Sequence, residues 1–422
     1  MFTQIIKVIW SQRAGNAWIW AEIALVSVCL WYIVDDLYTR ITLYASPLGY
    51  DITGVYAIDL RTITPENEQY RPQEEYGASL GDDLLTIVSR IRAYPGVEAV
   101  GISAASLPYT YARNYSHLRR VNYETGDTLP SGTMRNYFAT PGYVNVFRYA
   151  TQEGATDVLA GSLRPNYRII TSDAAGKMFP EGDATGKLMF YNDDSIGVYV
   201  AGVMNPIRFG DFDAYTPTYI RLLEESVIAA ELNEFIFQGI DITLRAGPGA
   251  DKDFAANFRK EMQTQLRYHN IYMLNIRSFA DIRARYIRGD VNETKMYLAG
   301  VFFLLVNIFL GIVGTFFFRT ERRLGEMGLR IALGSTASNL RTLLIGEGLL
   351  ILLFAFIPAA VISLNLGMQE VTDVETMPFT ATRFFLCQGI AFVLTALMIT
   401  AGVWFPSRKV ITLQPAEALR YE

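Results

Sequence analysis

The sequence predicts an α+β membrane protein in which four transmembrane helices accompany one large mixed α/β domain outside the membrane. Hydrophobic residues make up 51% of the 422 residues, and the mean hydropathy of +0.18 is high for a soluble protein. The excess is concentrated in four apolar runs, each close to the ~20 residues that cross the hydrocarbon core of a bilayer. The long segment between the first and second runs is mixed and polar, as expected of a folded domain in water.

The predicted membrane spans are residues 17–34, 296–318, 343–364 and 384–405. In the second span, each Leu, Ile, Phe or Val contributes about −0.5 kcal/mol, so insertion stays favourable despite Asn307. The first span follows a basic start and resembles a signal peptide. Its apolar stretch is longer than a signal core, no small-residue cleavage site follows closely, and aromatic residues mark both interfaces. We therefore expect a retained anchor.

Basic residues in the short flanks set the expected orientation, because Lys and Arg are held on the cytoplasmic side. The segment between the second and third spans contains Arg319, Arg322, Arg323, Arg330 and Arg341, and the tail contains Arg408, Lys409 and Arg420. The loop between the third and fourth spans has instead Glu370, Asp373 and Glu375 against Arg383. We expect residues 1–16, 319–342 and 406–422 in the cytoplasm, and residues 35–295 and 365–383 outside.

The outer segment shows both helical and strand patterns. Apolar residues recur with helical spacing from Asp83 to Ala93, and Pro95-Gly96 then breaks the chain before an apolar strand that starts at Val97. We expect further strands at 167–171 and 198–204, and a second helix at 253–267. The charged stretch 279–295 reads as a helical stalk that leads into the second span.

Residue patterns for catalysis, metal binding or nucleic-acid binding are not found in the sequence. Cys29 and Cys387 both fall in predicted spans, and His117 and His269 have no neighbour at metal-ligand spacing. The segment Gly182–Lys187 differs from a phosphate loop because the glycines are too close together and Leu188 replaces the magnesium-binding Ser or Thr. The net charge of −5 and the lack of a basic run argue against nucleic acid as a partner.

The loop before the third span predicts a short amphipathic helix. Glu326 and Arg330 stand at i, i+4 spacing, with Met327, Leu329 and Leu333 as apolar neighbours. Gly334 is placed to end this helix, and Ser335 or Ser338 could cap the next one. From spacing alone, a loop that lies on lipid headgroups is an equally good interpretation.

This loop resembles the inner loop of the MacB/FtsX-type ABC transporter permeases, R-x-x-E-I-G-I-R-R-A-L-G. The matching residues are Glu326, Met327, Gly328, Leu329, Arg330, Ala332, Leu333 and Gly334, while Ile331 replaces the family's basic residue. The tail PAEALRYE is similar to the family's D-P-A-E-A-L-R ending. In the outer segment, LLTIVSRIRAYPGVEAVGIS is similar to one part of its periplasmic core, and RIITSDAAGKMFPEGDATGKLMF followed by GVYVAGVMNPIRF is similar to another. With the loop and the tail these make four matches, which occur in the family's order.

The resemblance implies a permease of the inner membrane with a periplasmic core of two subdomains. The matching loop would be the coupling helix that docks on a separate cytoplasmic ABC ATPase. ATP and magnesium would then be bound by that partner, with no cofactor and no enzymatic activity in this chain. The family further implies a homodimer or a heterodimer with a paralogous permease, and a periplasmic adaptor with an outer-membrane channel.

For function, the resemblance implies mechanotransmission that serves the export of a drug, a peptide or a lipophilic substrate. Release of lipoproteins, and FtsX-like regulation of a periplasmic cell-wall hydrolase, are the alternatives.

Three polar residues inside the predicted spans are candidate functional residues. Glu22 lies about a turn inside the first span, where a charged side chain is costly unless it reaches the interface or a polar seam. We expect it to reach the headgroup region, and the alternative is a contact with another helix. Glu347 raises the same question at the start of the third span, and Asn307 lies within the second.

Overall fold

The structure is a computed structural model, which describes residues 13–111, 114–121, 128–191, 197–250, 253–322, 324–374 and 376–412. The start of the predicted N-terminal segment, Arg323, Glu375 and the tail motif with Arg420 lie outside the described residues. The chain forms two compact units, one of Ser46–Asp290 and one of Met1–Ala45 with Val291–Glu422.

The described residues form fourteen helices and ten strands, and all ten strands lie in the Ser46–Asp290 unit. The helices of the chain are α1 Arg13–Ala45, α2 Gln73–Tyr76, α3 Leu80–Arg92, α4 Pro141–Phe147, α5 Thr156–Ser162, α6 Ser172–Met178, α7 Glu225–Glu231, α8 Glu234–Phe237, α9 Phe254–Met262, α10 Phe279–Tyr286, α11 Arg288–Glu321, α12 Leu324–Ala332, α13 Ala337–Met368 and α14 Ala381–Thr412. The strands are β1 Val55–Thr62, β2 Val97–Ala104, β3 Tyr115–Val121, β4 Thr128–Ala139, β5 Tyr167–Thr171, β6 Leu188–Tyr191, β7 Gly197–Met204, β8 Thr218–Leu222, β9 Ile240–Ala246 and β10 Ile271–Ser278.

The strands of the unit Ser46–Asp290 belong to one sheet, part open and part closed. Its order is β10-β1-β9-β2-β4-β3-β6-β7-β5-β8, and β8 also pairs with β4. Strands β4, β3, β6, β7, β5 and β8 therefore close into a ring, while β10, β1, β9 and β2 form an open antiparallel sheet. Strand β4 belongs to both parts, because its first half pairs with β3 and its last residues pair with β2.

Helix α3 shows how the sequence builds the open part. Ser79 and Asp82 form a capping box, in which the Ser79 hydroxyl accepts a hydrogen bond from the Asp82 amide at 3.0 Å. The helix consequently starts three residues before the predicted Asp83. Its buried face, which includes Leu84, Ile87 and Ile91, packs in a core cluster with β2 and β9.

The second predicted helix of this unit is shorter in the structure than the sequence suggested. Helix α9 ends at Met262 rather than at Arg267. The chain must reverse within a few residues to enter β10, and His269 adopts a positive φ of 44° in this turn. Tyr268 and Ile271 pair across the same turn. The strand predicted at 167–171 coincides with β5.

The other unit contains helices α1, α11, α13 and α14, each long and apolar enough to cross a membrane. All four extend beyond the apolar runs in the sequence. Helices α1, α13 and α14 share a buried cluster that includes Ile23, Ile351 and Ile399, and α11 adds Ile312 and Phe316 to it. Many other large apolar side chains of α11, including Phe302, Phe303 and Leu310, are exposed within this chain.

A close backbone contact between β2 and α4 leads to the first testable prediction. A Cβ atom on Gly101 would lie 2.5 Å from Tyr143 Cα, so the two backbones can pack only with glycine there. We expect Gly101→Ala to lower the free energy of unfolding of the Ser46–Asp290 unit by about 1–3 kcal/mol, as overpacking does. The urea dependence of trypsin cleavage inside this unit, in the full chain, measures the effect.

The matched control for this prediction is Gly176→Ala in α6. A Cβ atom at Gly176 would meet nothing within 4 Å. Alanine also favours a helix over glycine by up to about 1 kcal/mol, so this variant should be as stable as the parent or more stable. Equal stability of the two variants would refute the close contact.

Candidate functional site

Helix α12 coincides with the loop helix that the sequence predicted, and the structure separates its residues by exposure. Met327 is fully buried, in the same cluster as Leu340 and Leu344 of α13. Leu329 and Leu333 are instead 54% and 79% exposed. One side chain therefore anchors the helix to the membrane unit, and two large apolar side chains remain uncovered.

The polar residues of α12 form the predicted pair. Glu326 Oε1 accepts a hydrogen bond from Arg330 Nη2 at 2.9 Å, and both side chains are 38% exposed. A partly solvated i, i+4 pair of this kind stabilises a helix by about 0.3–0.5 kcal/mol. Gly328 and Ala332, the other matched residues, lie within the same helix.

The end of α12 has the hydrogen bonds of a Schellman motif. Gly334 has a φ of 91°, as the left-handed position of this motif requires, and its amide donates to the Ile331 carbonyl at 2.9 Å. The Ser335 amide donates to the Arg330 carbonyl at 2.9 Å. The predicted role of Gly334 is therefore confirmed.

The predicted cap of the following helix is wrong by one residue. Thr336 caps α13, and its Oγ1 accepts a hydrogen bond from the Asn339 amide at 3.3 Å. Ser335 completes the preceding turn, and Ser338 already lies inside α13. The turn between α12 and α13 is thus only a few residues long and is fixed at both ends.

Glu347 and Arg319 join α13 to the end of α11. Arg319 Nη2 donates to Glu347 Oε1 at 2.6 Å, and the two side chains are 13% and 5% exposed. The next residue, Gly348, lets the helices approach closely, because a Cβ there would lie 3.1 Å from the Phe316 ring and 2.7 Å from Ile399. Small residues serve this purpose at helix crossings in membranes.

Glu22 contacts another helix, as the alternative interpretation of this residue predicted. Thr315 Oγ1 on α11 lies 3.1 Å from both Glu22 carboxylate oxygens. A hydroxyl donor on an adjacent helix is one way to satisfy a carboxylate among apolar helices. Asn307, the third candidate, is exposed and donates from Nδ2 to the Phe303 carbonyl of its own helix at 2.8 Å.

An ion pair between α1 and α14 was missed in the sequence. Arg383 Nε and Nη2 donate to the two Asp35 carboxylate oxygens at 2.9 and 2.6 Å, and both side chains are at most 1% exposed. Arg383 Nη1 also donates to the carbonyl oxygens of Asp373 and Met377 in the loop between α13 and α14. In the sequence, the only sign of this pair was that Asp35 directly follows the first predicted span and Arg383 directly precedes the fourth.

Both histidines contact polar or aromatic side chains of the Ser46–Asp290 unit. His269 Nδ1 lies 2.8 Å from Asp83 Oδ1, and its ring stacks on Tyr76 with 3.8 Å between centroids. His117 Nδ1 lies 3.2 Å from Thr133 Oγ1. Within the described residues, no group of three or more His, Cys, Asp and Glu could hold a metal ion.

The described part of the chain has four long apolar helices, a short helix between two of them and a mixed α/β unit that lies between the first two in sequence, as expected of a multi-pass membrane protein. Residues 298–415 match the family model of the FtsX-like permease C-terminal region. This match supports the resemblance seen in the loop, over the part of the chain that it covers. No curated protein sequence matches the chain.

Three solved structures show a limited similarity to the chain. The first is a domain of a Porphyromonas gingivalis protein described as a permease, with 13% identity and a TM-score of 0.34. The second is the periplasmic region of MacB from Actinobacillus actinomycetemcomitans, with 10% identity and a TM-score of 0.32. The third is the extracellular domain of the noncanonic ABC-type transporter YknZ from Gram-positive bacteria, with 14% identity and a TM-score of 0.28. The matches cover 53%, 54% and 52% of this chain, and 90%, 90% and 100% of the three structures.

The pair between Asp35 and Arg383 leads to the second prediction. Asp35→Asn would leave a buried guanidinium without its counter-charge, a change that typically costs about 3–5 kcal/mol. We therefore expect a marked fall in the thermal unfolding midpoint of the full chain in detergent micelles. Size-exclusion chromatography of samples heated to a series of temperatures measures this midpoint.

Asp36→Asn is the matched control. Asp36 pairs with Arg40 on the same helix at 3.0 Å, and these side chains are 24% and 32% exposed. Loss of such a pair costs about 0.5 kcal/mol or less. A similar midpoint for the two variants would show that burial of the Asp35 pair contributes nothing.

Proposed function

We propose that this chain is the permease subunit of an ABC transporter, and that a separate cytoplasmic ATPase docks on α12. The exposed Leu329 and Leu333, on a helix anchored by the buried Met327, carry this proposal. Two large uncovered apolar side chains beside a charged pair have the composition of a docking surface, with an apolar centre and a polar rim. ATP and magnesium would be bound by the partner.

The contacts around α12 support a mechanical route from this surface into the membrane unit. α12 is joined to α11 and α13 by short connections, and the pair between Arg319 and Glu347 ties the same two helices together. The contact between Glu22 and Thr315 extends the connection from α11 to α1. The Ser46–Asp290 unit follows α1 in the chain and ends within α11, so movement of these helices would act on both of its ends.

Both termini and the α12 loop lie in the cytoplasm in this proposal. The periplasmic domain is residues 35–295, between the first two predicted spans. The open sheet and the closed ring are the proposed two subdomains of the periplasmic core, and the strand order supports this division. Two permease chains would assemble as a homodimer or a paralogous heterodimer to export a drug, a peptide or a lipophilic substrate, with an adaptor and an outer-membrane channel.

The third prediction tests the docking surface. In Leu329→Ser/Leu333→Ser, helix α12 keeps Met327 and the pair between Glu326 and Arg330 but loses its exposed apolar groups. We expect this variant to retain less of a co-expressed ABC ATPase during purification. We also expect it to lose most of the ATPase stimulation in the reconstituted complex, because interface energy is concentrated in a few apolar side chains.

Val158→Ser is the matched control, since Val158 is 65% exposed but lies in the Ser46–Asp290 unit. A second variant, Glu326→Arg/Arg330→Glu, keeps an ion pair on the helix and reverses the charges presented to a partner. Full ATPase retention and stimulation in both α12 variants would refute docking at this helix.

The fourth prediction tests the orientation. In a chain with Cys29→Ala and Cys387→Ser, the Ser338→Cys variant, labelled beside α12, should react with a membrane-impermeant maleimide only after cell lysis. Glu66→Cys, at an exposed position of the Ser46–Asp290 unit, should react in cells with a permeabilised outer membrane. Labelling at Ser338 in unlysed cells would place α12 on the wrong side for an ATPase.

A further inference from the structure

A groove opens in the Ser46–Asp290 unit where strand β4 passes from the closed ring to the open sheet. Its volume is about 750 Å³, within the ~300–1,000 Å³ of small-molecule sites. It is lined by Tyr115, Asn136, Phe138, Arg221, Phe235 and Ile236, together with neighbouring loop residues. Aromatic rings, amide groups and one guanidinium therefore face the same space.

Alternation along the strands places a polar layer inside the ring next to this groove. Leu118, Met134, Ile170, Met189 and Tyr219 belong to the buried core of the ring. Because side chains two residues apart on a strand share a face, their neighbours at that spacing also point inward. These neighbours are Ser116 on β3, Asn136 on β4, Arg168 on β5, Tyr191 on β6 and Arg221 on β8.

Two arginines stand side by side in this layer. Arg168 and Arg221 are directly opposite each other in the antiparallel pair of β5 and β8. Arg168 is 9% exposed, and its Nε donates to the Tyr191 hydroxyl at 3.2 Å. The Arg221 guanidinium lies 4.0 Å from the centre of the Phe138 ring, and its buried Nε has no hydrogen-bond partner among the residues that the structure describes. Within the described part of the chain, neither arginine is ion-paired with a carboxylate.

The pKa of Tyr191 shows that the electrostatic potential beside Arg168 and Arg221 is positive. Burial alone raises the pKa of a tyrosine, yet the pKa of Tyr191 is lowered, because the charges of Arg168 and Arg221 favour its ionised form. Asn136 Oδ1 is also buried here without a hydrogen-bond partner among the described residues. Unpaired cations and unsatisfied polar atoms are costly in a protein interior, unless a ligand satisfies them.

The outer rim of the groove is apolar. Phe235 on α8 is 85% exposed and the adjacent Ile236 is 43% exposed, although large apolar side chains are usually covered. Tyr115 on the opposite side is 48% exposed. The groove thus has a cationic inner end and an apolar, aromatic rim.

We propose that this groove binds a small organic anion, whose carboxylate or phosphate contacts Arg221 and whose ring-containing apolar body packs against Phe138, Tyr115 and Phe235. A guanidinium offers the planar fork of donors that matches either acidic group. The apolar body covers the exposed rim and so adds affinity that a bare anion lacks. This assignment uses only residues of the Ser46–Asp290 unit and is independent of the ATPase proposal.

Isothermal titration calorimetry tests the proposal with the full chain in phosphatidylcholine nanodiscs and with empty nanodiscs as the blank. The probes are 4-phenylbutyrate, phenyl phosphate, inorganic phosphate and the neutral 4-phenylbutyramide. We expect at least one aromatic anion to bind, inorganic phosphate to bind about ten-fold or more weakly, and the amide not to bind. Equal affinity for inorganic phosphate, or binding of neither aromatic anion, would overturn the proposal.

Arg221→Gln should weaken binding of the aromatic anion by about ten-fold or more, because a hydrogen bond to a charged group is lost. Arg164→Gln is the matched control, since Arg164 also stacks on a ring, that of Tyr167 at 3.7 Å, but lies outside the groove. Equal losses in both variants would show a response to net charge alone and overturn the assignment.

Phe235→Ala provides a second, independent variant at a residue exposed enough not to affect folding. It should weaken the aromatic anion several-fold and leave inorganic phosphate unchanged. Unaltered binding of the aromatic anion in both Arg221→Gln and Phe235→Ala would remove the groove as its site.

Discussion

Pairing of polar groups between apolar helices organises the membrane unit of this protein. Glu22 meets Thr315, Glu347 meets Arg319 and Asp35 meets Arg383, and each contact joins two different helices. An ionised side chain in an apolar environment is costly alone, so the pairing of α11 with α1 and α13, and of α14 with α1, follows from where the charges stand. Apolar packing between helices is not specific for one partner, because many apolar surfaces pack equally well in a membrane. These polar contacts instead determine which helices are neighbours and at which residues along their length they touch. The match of residues 298–415 to the FtsX-like permease model covers three of these four helices.

In the Ser46–Asp290 unit, the corresponding constraint is the sharing of strand β4. The first half of the strand pairs with β3, its second half pairs with β8, and its last two residues pair with β2. Leu84, Ile87 and Ile91 belong to one hydrophobic cluster and Met134, Met189 and Tyr219 to another. A third cluster, which includes Ala57 of β1 and Ile169 of β5, reaches both parts. The groove lies where neither of the first two clusters fills the space, and its polar layer belongs to the ring rather than to the open sheet. A site at this position depends on both parts being folded.

Local patterns in the sequence predicted individual elements but not the contacts between them. Helical spacing and a Pro-Gly turn predicted α3 and β2, and the glycine at 334 predicted the end of α12, because these features depend on neighbours within a few residues. The pair between Asp35 and Arg383 spans 348 positions, and no local pattern marks two residues so far apart. The closure of β8 onto β4 was hidden for the same reason. In α12, periodicity identified three apolar residues, but only the packing showed that Met327 is buried and that Leu329 and Leu333 are not.

The shared strand also limits how the Ser46–Asp290 unit can deform. A linker of flexible residues would let the ring swing away from the open sheet as a hinge does. A continuous, hydrogen-bonded strand resists stretching and sideways opening, and the softest remaining motion is a change of twist along β4. Rotation of the ring about this axis would narrow or widen the mouth between Arg221 on β8 and Phe235 on α8. An occupant that fits one twist better than the other would oppose torsion away from that twist, and torsion away from it would weaken its binding.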